Sequence, residues 1–220
     1  MKALKKLTPV AMATAMAITG MAGVPAIASA GVSSDLTISS MYLWRGLDIS
    51  GGPEVAGSLG YDFGNGFSVG TWASSEATNN LEVDLYGSYA GKVGDFGYSV
   101  GAVSYQYPEN TASLSNSDSS EYVLGASYKD LSLTAYINTD STVSGNYKYY
   151  SLDYSLGKVG LHYGTSTEDN SANKYSDFNV SYAVTDSLTW TVSKATGNKV
   201  DANPALKDPL VVLTYSVPLK

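Results

Sequence analysis

The sequence contains no cysteine and one histidine, which removes disulfides, thiolate nucleophiles and cysteine or histidine zinc sites from consideration. Positive charge is also scarce. Against 20 Asp+Glu there are 13 Lys+Arg, for a net charge of −7, and three of the lysines fall in the first six residues. A chain this acidic is a poor partner for nucleic acid. Phenylalanine is sparse at 4 residues. Past Ala30 no apolar run is long enough to cross a bilayer as a helix.

What is present first is an export signal. Lys2, Lys5 and Lys6 form a basic start, Leu7 to Val24 an apolar stretch, and Ala28-Ser29-Ala30 a small-residue cleavage site. Gly20, Gly23 and Pro25 interrupt the apolar stretch, which argues against a membrane-spanning helix. The expected organisation is therefore a signal peptide over residues 1–30 and one mature domain over 31–220.

The whole sequence is rich in tyrosine (18) and glycine (22), and its mean hydropathy is −0.06. That value fits a barrel whose alternate residues meet lipid while the rest line a polar interior. Period-two alternation runs through the chain in segments of about ten residues. Leu36, Ile38, Tyr42 and Trp44 share one face of the first segment, opposite Thr37, Ser39 and Arg45. Val55, Leu59, Tyr61 and Phe63 oppose Glu54, Ser58 and Asp62 in the second, and Phe67, Val69 and Thr71 oppose Ser68, Gly70 and Trp72 in the third. The fourth sets Leu81, Val83, Leu85 and Tyr89 against Glu82, Asp84, Tyr86 and Ser88. The rhythm continues to Val217.

The connections alternate too. Gly64-Asn65-Gly66, Gly91 to Asp95, Lys129-Asp130, Gly157-Lys158 and Thr185-Asp186 read as tight turns. Between them lie longer polar loops, among them Pro108 to Ser120, Thr139 to Gly145, Glu168 to Lys174 and Thr196 to Asp208. Short turns at one end and long loops at the other define an all-β, transmembrane antiparallel up-and-down β-barrel of about twelve strands, with both termini in the periplasm. A soluble β-sandwich also has short alternating strands, but it needs no such alternation of gap length and its inner faces carry more Leu, Ile and Phe.

Several segments are similar to one family: Tyr42-Leu43-Trp44-Arg45-Gly46-Leu47 with Ser50, Gly70-Thr71-Trp72-Ala73-Ser74, Glu82-Val83-Asp84-Leu85-Tyr86-Gly87, Tyr105-Gln106-Tyr107-Pro108 and Tyr175-Ser176-Asp177-Phe178. In this order and in a chain of this length they resemble the TorF porin family of Gram-negative bacteria. The resemblance implies an outer-membrane barrel with a pore and names no substrate. Unlike many outer-membrane barrels, the chain ends without an aromatic residue, as Tyr215-Ser216-Val217-Pro218-Leu219-Lys220, so the assembly machinery would have to use Tyr215 or another signal.

If the apolar faces meet lipid, Arg45, Glu54, Asp62, Glu82, Asp84, Asp153, His162 and Asp177 project into the lumen. An excess of carboxylates there favours cations, so the expected activity is passive diffusion of small solutes or ions with a cation preference. The alternative is a lumen plugged by charge pairs such as Arg45 with Glu82 or Asp84, in a barrel serving as a surface scaffold whose loops Pro108 to Ser120 and Thr196 to Asp208 bind a partner. An outer-membrane lipid hydrolase is a third reading. His162, however, has Gly160 and Gly164 beside it on its face where a hydrolase needs a serine, and no G-x-S-x-G elbow occurs. No catalytic, cofactor or metal residue is assigned: Glu168-Asp169-Asn170 lacks the spacing of a calcium loop. Trp44, Trp72, Trp190 and the tyrosines are accounted for by interfacial girdles. Expected partners are outer-membrane lipid, small solutes or ions and the barrel-assembly machinery.

Overall fold

The computed structural model describes residues 30–75, 81–108, 119–139 and 145–219. The signal peptide therefore lies outside the described residues. In chain order the strands are β1 (Gly31–Ser39), β2 (Leu43–Trp44), β3 (Leu47–Asp48), β4 (Glu54–Asp62), β5 (Phe67–Ser74), β6 (Glu82–Val93), β7 (Phe96–Gln106), β8 (Ser119–Tyr128), β9 (Leu131–Asn138), β10 (Lys148–Leu156), β11 (Val159–Thr167), β12 (Ser176–Ala183), β13 (Leu188–Thr196) and β14 (Leu210–Pro218).

β1 and β4–β14 make a closed barrel in which each strand pairs with its sequence neighbour, and β14 returns to β1 with Leu36 opposite Val217. Closure leaves no unpaired edge, the condition for a sheet to span hydrocarbon. Twelve barrel strands are present, all pairs antiparallel, as the alternation predicts.

The exterior follows from the pleat. Leu59, Val69, Leu85, Leu133, Leu152 and Val192 all point outward and are exposed, an apolar band with no protein against it. At the short-turn end outward aromatics run from strand to strand: Tyr61 meets Phe63 at 4.9 Å, Phe67 meets Tyr89 at 4.7 Å and Tyr89 meets Tyr98 at 6.5 Å between ring centroids. Such a ring of aromatics marks a membrane interface.

The short turns are held by few contacts. Asp62 accepts the Gly64 amide at 2.6 Å, Asn65 the Phe67 amide at 3.2 Å, and Thr185 Oγ1 the Ser187 and Leu188 amides. β6 runs on to Val93, so the turn expected over Gly91 to Asp95 shrinks to Gly94-Asp95, where Gly94 has a positive φ of 60°. The long connections all lie at the opposite end, where 171–173 form a 3-10 turn and Asn198–Ala202 a single turn of α-helix, α1. Gly31 and Pro218 both sit at the short-turn end.

One expectation fails. The first segment does not continue outward to Trp44: β1 ends at Ser39, and Tyr42 and Trp44 lie on a small hairpin, β2–β3, that folds into the barrel. Tyr42 is buried rather than facing lipid. The physical reason is the turn chemistry of Arg45-Gly46. Both have positive φ, 49° and 79°, which is the geometry of a two-residue type I′ hairpin turn. Leu43 then pairs with Asp48 and Trp44 with Leu47.

Candidate functional site: the lumen and its inserted hairpin

The hairpin is tied at its base. Ser50 Oγ accepts the Tyr42 amide at 2.8 Å, Ile49 N–H donates to the Tyr42 carbonyl at 3.1 Å, and Asp48 Oδ1 accepts the amides of Ser50 and Gly51. Its tip reaches the far wall. The Arg45 guanidinium meets Glu121 on β8 through two parallel bonds, Nη1 to Oε1 at 3.0 Å and Nη2 to Oε2 at 2.5 Å, with both side chains almost fully buried. Tyr105 donates to the same Glu121 at 2.8 Å. Around the guanidinium stand Trp44, Tyr136, Tyr149 and Tyr147, with ring centroids 4.4, 4.5, 4.9 and 5.4 Å from its central carbon. Each such cation–π contact adds about 0.5–2 kcal/mol where water is excluded.

Gly46 is required twice over. Its φ of 79° disfavours any side chain, and a Cβ there would stand 2.2 Å from the Cβ of Asp177. Its carbonyl accepts from Ser193 Oγ at 3.5 Å. Leu47 packs with Tyr175, Ala195 and Val200 of α1, and Tyr42 with Trp72 and Ala56. Burial pushes the Tyr42 phenol well above its ordinary pKa, and the nearby carboxylates of Glu82, Asp84 and Glu54 push it further, so it stays a neutral hydroxyl.

The predicted lumen charges fall into three groups. Arg45 pairs with Glu121, not with Glu82 or Asp84, and Glu121 was not among the residues singled out from the sequence. Asp153, His162 and Asp177 come together on β10, β11 and β12. Asp153 and His162 are direct cross-strand partners, with Nδ1 2.6 Å from Asp153 Oδ1. His162 Nε2 lies 2.9 Å from the Tyr149 hydroxyl and 3.2 Å from Asp177 Oδ2, while Tyr149 donates to Asp177 Oδ1 at 2.7 Å. Gly164 makes room for this: a Cβ there would stand 1.8 Å from the Tyr149 hydroxyl. Both ring nitrogens are engaged, one by Asp153 and the other by Tyr149 and Asp177.

Glu54, Glu82 and Asp84 form the third group, on β4 and β6. Ser74 donates to Glu54 Oε1 at 2.7 Å, and Asp84 hydrogen-bonds Glu82. Glu54 Oε2 and Asp84 Oδ1 are buried without a hydrogen-bond partner, and no ion pair among the described residues reaches either side chain. Asp62 stays at the short-turn rim, holding Gly64, apart from all three groups.

Every barrel strand gives a buried inward residue to the loop-end half of the lumen. Ser39, Glu54, Trp72, Glu82, Val103 and Glu121 come from one side, and Tyr136, Tyr149, Ser166, Asp177, Ser193 and Thr214 from the other. With the hairpin at their centre this half is filled. Toward the turn end many inward positions are small and partly exposed, as at Ser58, Gly60, Ser68, Gly70, Ser88, Ser99 and Gly101, with the Tyr86 ring laid over Gly60 and Gly70. Above the hairpin a cavity of about 850 Å³ opens among the long loops, with Trp44, Asp48 and Ile49 in its floor and Tyr107, Tyr147 and Glu168 in its wall. Among the described residues no three His, Asp or Glu side chains converge as a metal site would need.

A closed antiparallel barrel with an apolar exterior, a polar interior and long loops at one end defines a membrane-spanning β-barrel. The chain belongs to a bacterial family described as of unknown function, Gcw_chp, whose model matches residues 25–208. Among solved structures the chain is similar to the KdgM porin, at 14% identity and a TM-score of 0.51, covering 86% of this chain and 98% of that one. It also matches the NanC porin, at 14% identity and a TM-score of 0.46 over 86% of this chain and 98% of that one. Outer membrane phospholipase A from Escherichia coli matches at 12% identity and a TM-score of 0.44, over 87% of this chain and 90% of that one. No curated protein sequence matches. The first similarity agrees with the fold derived above.

Proposed function

We propose that the protein is a porin-like channel of the outer membrane, passing small solutes or ions with a preference for cations when the Tyr42–Ser50 hairpin is displaced. The observation that carries this reading is the imbalance of inward charge. Arg45, the sole arginine of the sequence, is spent on Glu121, and His162 sits between Asp153 and Asp177, whereas no ion pair among the described residues reaches Glu54 or Asp84. Once the hairpin is displaced and water reaches these carboxyls they ionise, and a wall of that sign lowers the energy of a cation in the lumen and raises that of an anion. The small residues at the turn end and the cavity at the loop end flank one filled layer. In this reading the short turns and both chain ends face the periplasm, the long loops face outward, and residues 1–30 are the export signal. The TorF resemblance supports the same assignment.

A second reading is favoured by the complete ring of buried residues around the hairpin: a barrel that never conducts and presents its loops as a surface scaffold. Planar-bilayer recording with purified, refolded protein under a KCl gradient separates the two. The channel reading expects discrete conductance with a reversal potential on the potassium side. Silence of both the wild type and a hairpin-deleted barrel refutes it.

A further inference from the structure

The cavity at the loop end is a pocket with a floor, because the hairpin and the buried ring close it below. We propose that this pocket binds a small organic cation, an ammonium compound with apolar substituents, independently of whether the barrel conducts.

Three features of the wall select that chemistry. The first is sign. Asp48, Glu82, Glu121 and Glu168 line the pocket with Lys199 as the one cation among the described residues that line it, and the buried Arg45 beneath the floor neutralises Glu121 alone. The wall remains net negative after both cations are counted. Asp48 is held by neutral amide and hydroxyl donors, and these orient its charge without cancelling it. Glu168 Oε1 is shielded from solvent and has no hydrogen-bond partner. Lys199 is itself committed, with Nζ 5.4 Å from the Tyr175 ring.

The second feature is the aromatic surface. Trp44 and Tyr147 stack at 6.2 Å with their planes 20° apart, and Tyr105 and Tyr107 complete an apolar, electron-rich wall beside the carboxylates. Ring faces attract weakly hydrated organic cations, which lose little on leaving water. A compact metal ion would need converging oxygens, and no such group occurs among the described residues.

The third feature is a precedent within the molecule. One layer below, the chain binds an organic cation of its own by the same means: the Arg45 guanidinium lies among Trp44, Tyr136, Tyr147 and Tyr149 against Glu121. Trp44 and Tyr147 belong to both layers, so the pocket extends an arrangement already shown to suit a delocalised cation. A volume of about 850 Å³ is within the range of small-molecule sites.

The test is isothermal titration of the intact barrel in neutral detergent with choline, with 3,3-dimethyl-1-butanol as its uncharged isostere and with glucuronate as an anion. Choline should bind at least about tenfold more tightly than the isostere, and glucuronate should not bind. Glu168→Gln should weaken choline several-fold and leave the heat-modifiable gel mobility of the folded barrel unchanged. Equal binding of choline and its isostere, preference for glucuronate, or full retention of choline affinity in Glu168→Gln would each overturn the proposal. None of these readings depends on conductance, so failure here and failure of the channel reading are separate results.

Discussion

The two halves of the lumen are built from the same pleated sheet and solve opposite problems. Toward the loops, inward positions carry Trp, Tyr, Glu and Asp, and they close on the Arg45 hairpin until almost no surface remains. Toward the turns most are Ser and Gly and partly exposed, with Tyr86, Asp153 and His162 as larger exceptions, and the small ones bond to the adjacent strand, as Ser68 does to Ser88 at 2.8 Å. The sheet hydrogen bonds and the outer apolar band serve both halves alike, so barrel stability does not require the filled layer. In the channel reading the filled layer adds control of passage, at the cost of burying an arginine, two unpaired carboxylate oxygens and a residue in left-handed conformation.

This contrast can be broken most strongly at Glu121. Glu121→Ala leaves the Arg45 guanidinium buried without its partner, and the docked hairpin should lose about 3–5 kcal/mol. Its undocking should appear as a large rise in conductance, while the barrel keeps its gel mobility. Replacing both residues, as Arg45→Met with Glu121→Leu, should recover most of the docking, because the buried charge is removed together with its partner.

Gly46→Val is the next largest. The new side chain meets Asp177 and takes an unfavourable φ, so the tip should be displaced at a cost of about 1–3 kcal/mol. Faster proteolysis within Tyr42–Ser50 would report it. His162→Ala leaves Asp153 and Asp177 facing each other without the ring between them, and thermal melting should show a loss of about 1–3 kcal/mol. Ser88→Ala in the turn-end half should change stability by less than about 0.5 kcal/mol and leave conductance alone. A large effect there would erase the distinction between the halves.

Most of the barrel was legible in the sequence. Tyr150, Leu152, Tyr154 and Leu156 face outward as their alternation predicts, and the five short turns share one end; Trp72 faces in, as its alternation predicts, and so lies with Trp44 in the lumen and not in the girdle expected for both. The hairpin was not legible from periodicity, for a definite reason. Tyr42 and Trp44 have the same parity as Leu36 and Ile38, so a period-two pattern reads straight through the bend at Ser40-Met41. The available signal was local: Arg45-Gly46 between Leu43-Trp44 and Leu47-Asp48 is a two-residue hairpin turn.

Site pairing was hidden for a related reason. Asp153 and His162 could be found because they lie at equal distances from the Gly157-Lys158 turn and so fall opposite each other. The partnership of Arg45 with Glu121 spans 76 positions and depends on a hairpin crossing the lumen, which no local pattern encodes. Glu121 stands at the start of β8 beside the Pro108 to Ser120 loop, so reading from the clear alternation at Tyr122 onward passed over it. Of that loop, residues 109–118 lie outside the described residues.

In the channel reading the Tyr42–Ser50 hairpin closes an otherwise continuous acidic lumen. Single-channel recording under a KCl gradient, comparing the wild type with a barrel in which residues 42–50 are replaced by a Gly/Ser linker, tests it most directly. A several-fold larger conductance is expected for the linker variant, with a cation-selective reversal potential. Equal conductance in the two proteins, or an anion-selective potential after the hairpin is removed, would contradict it.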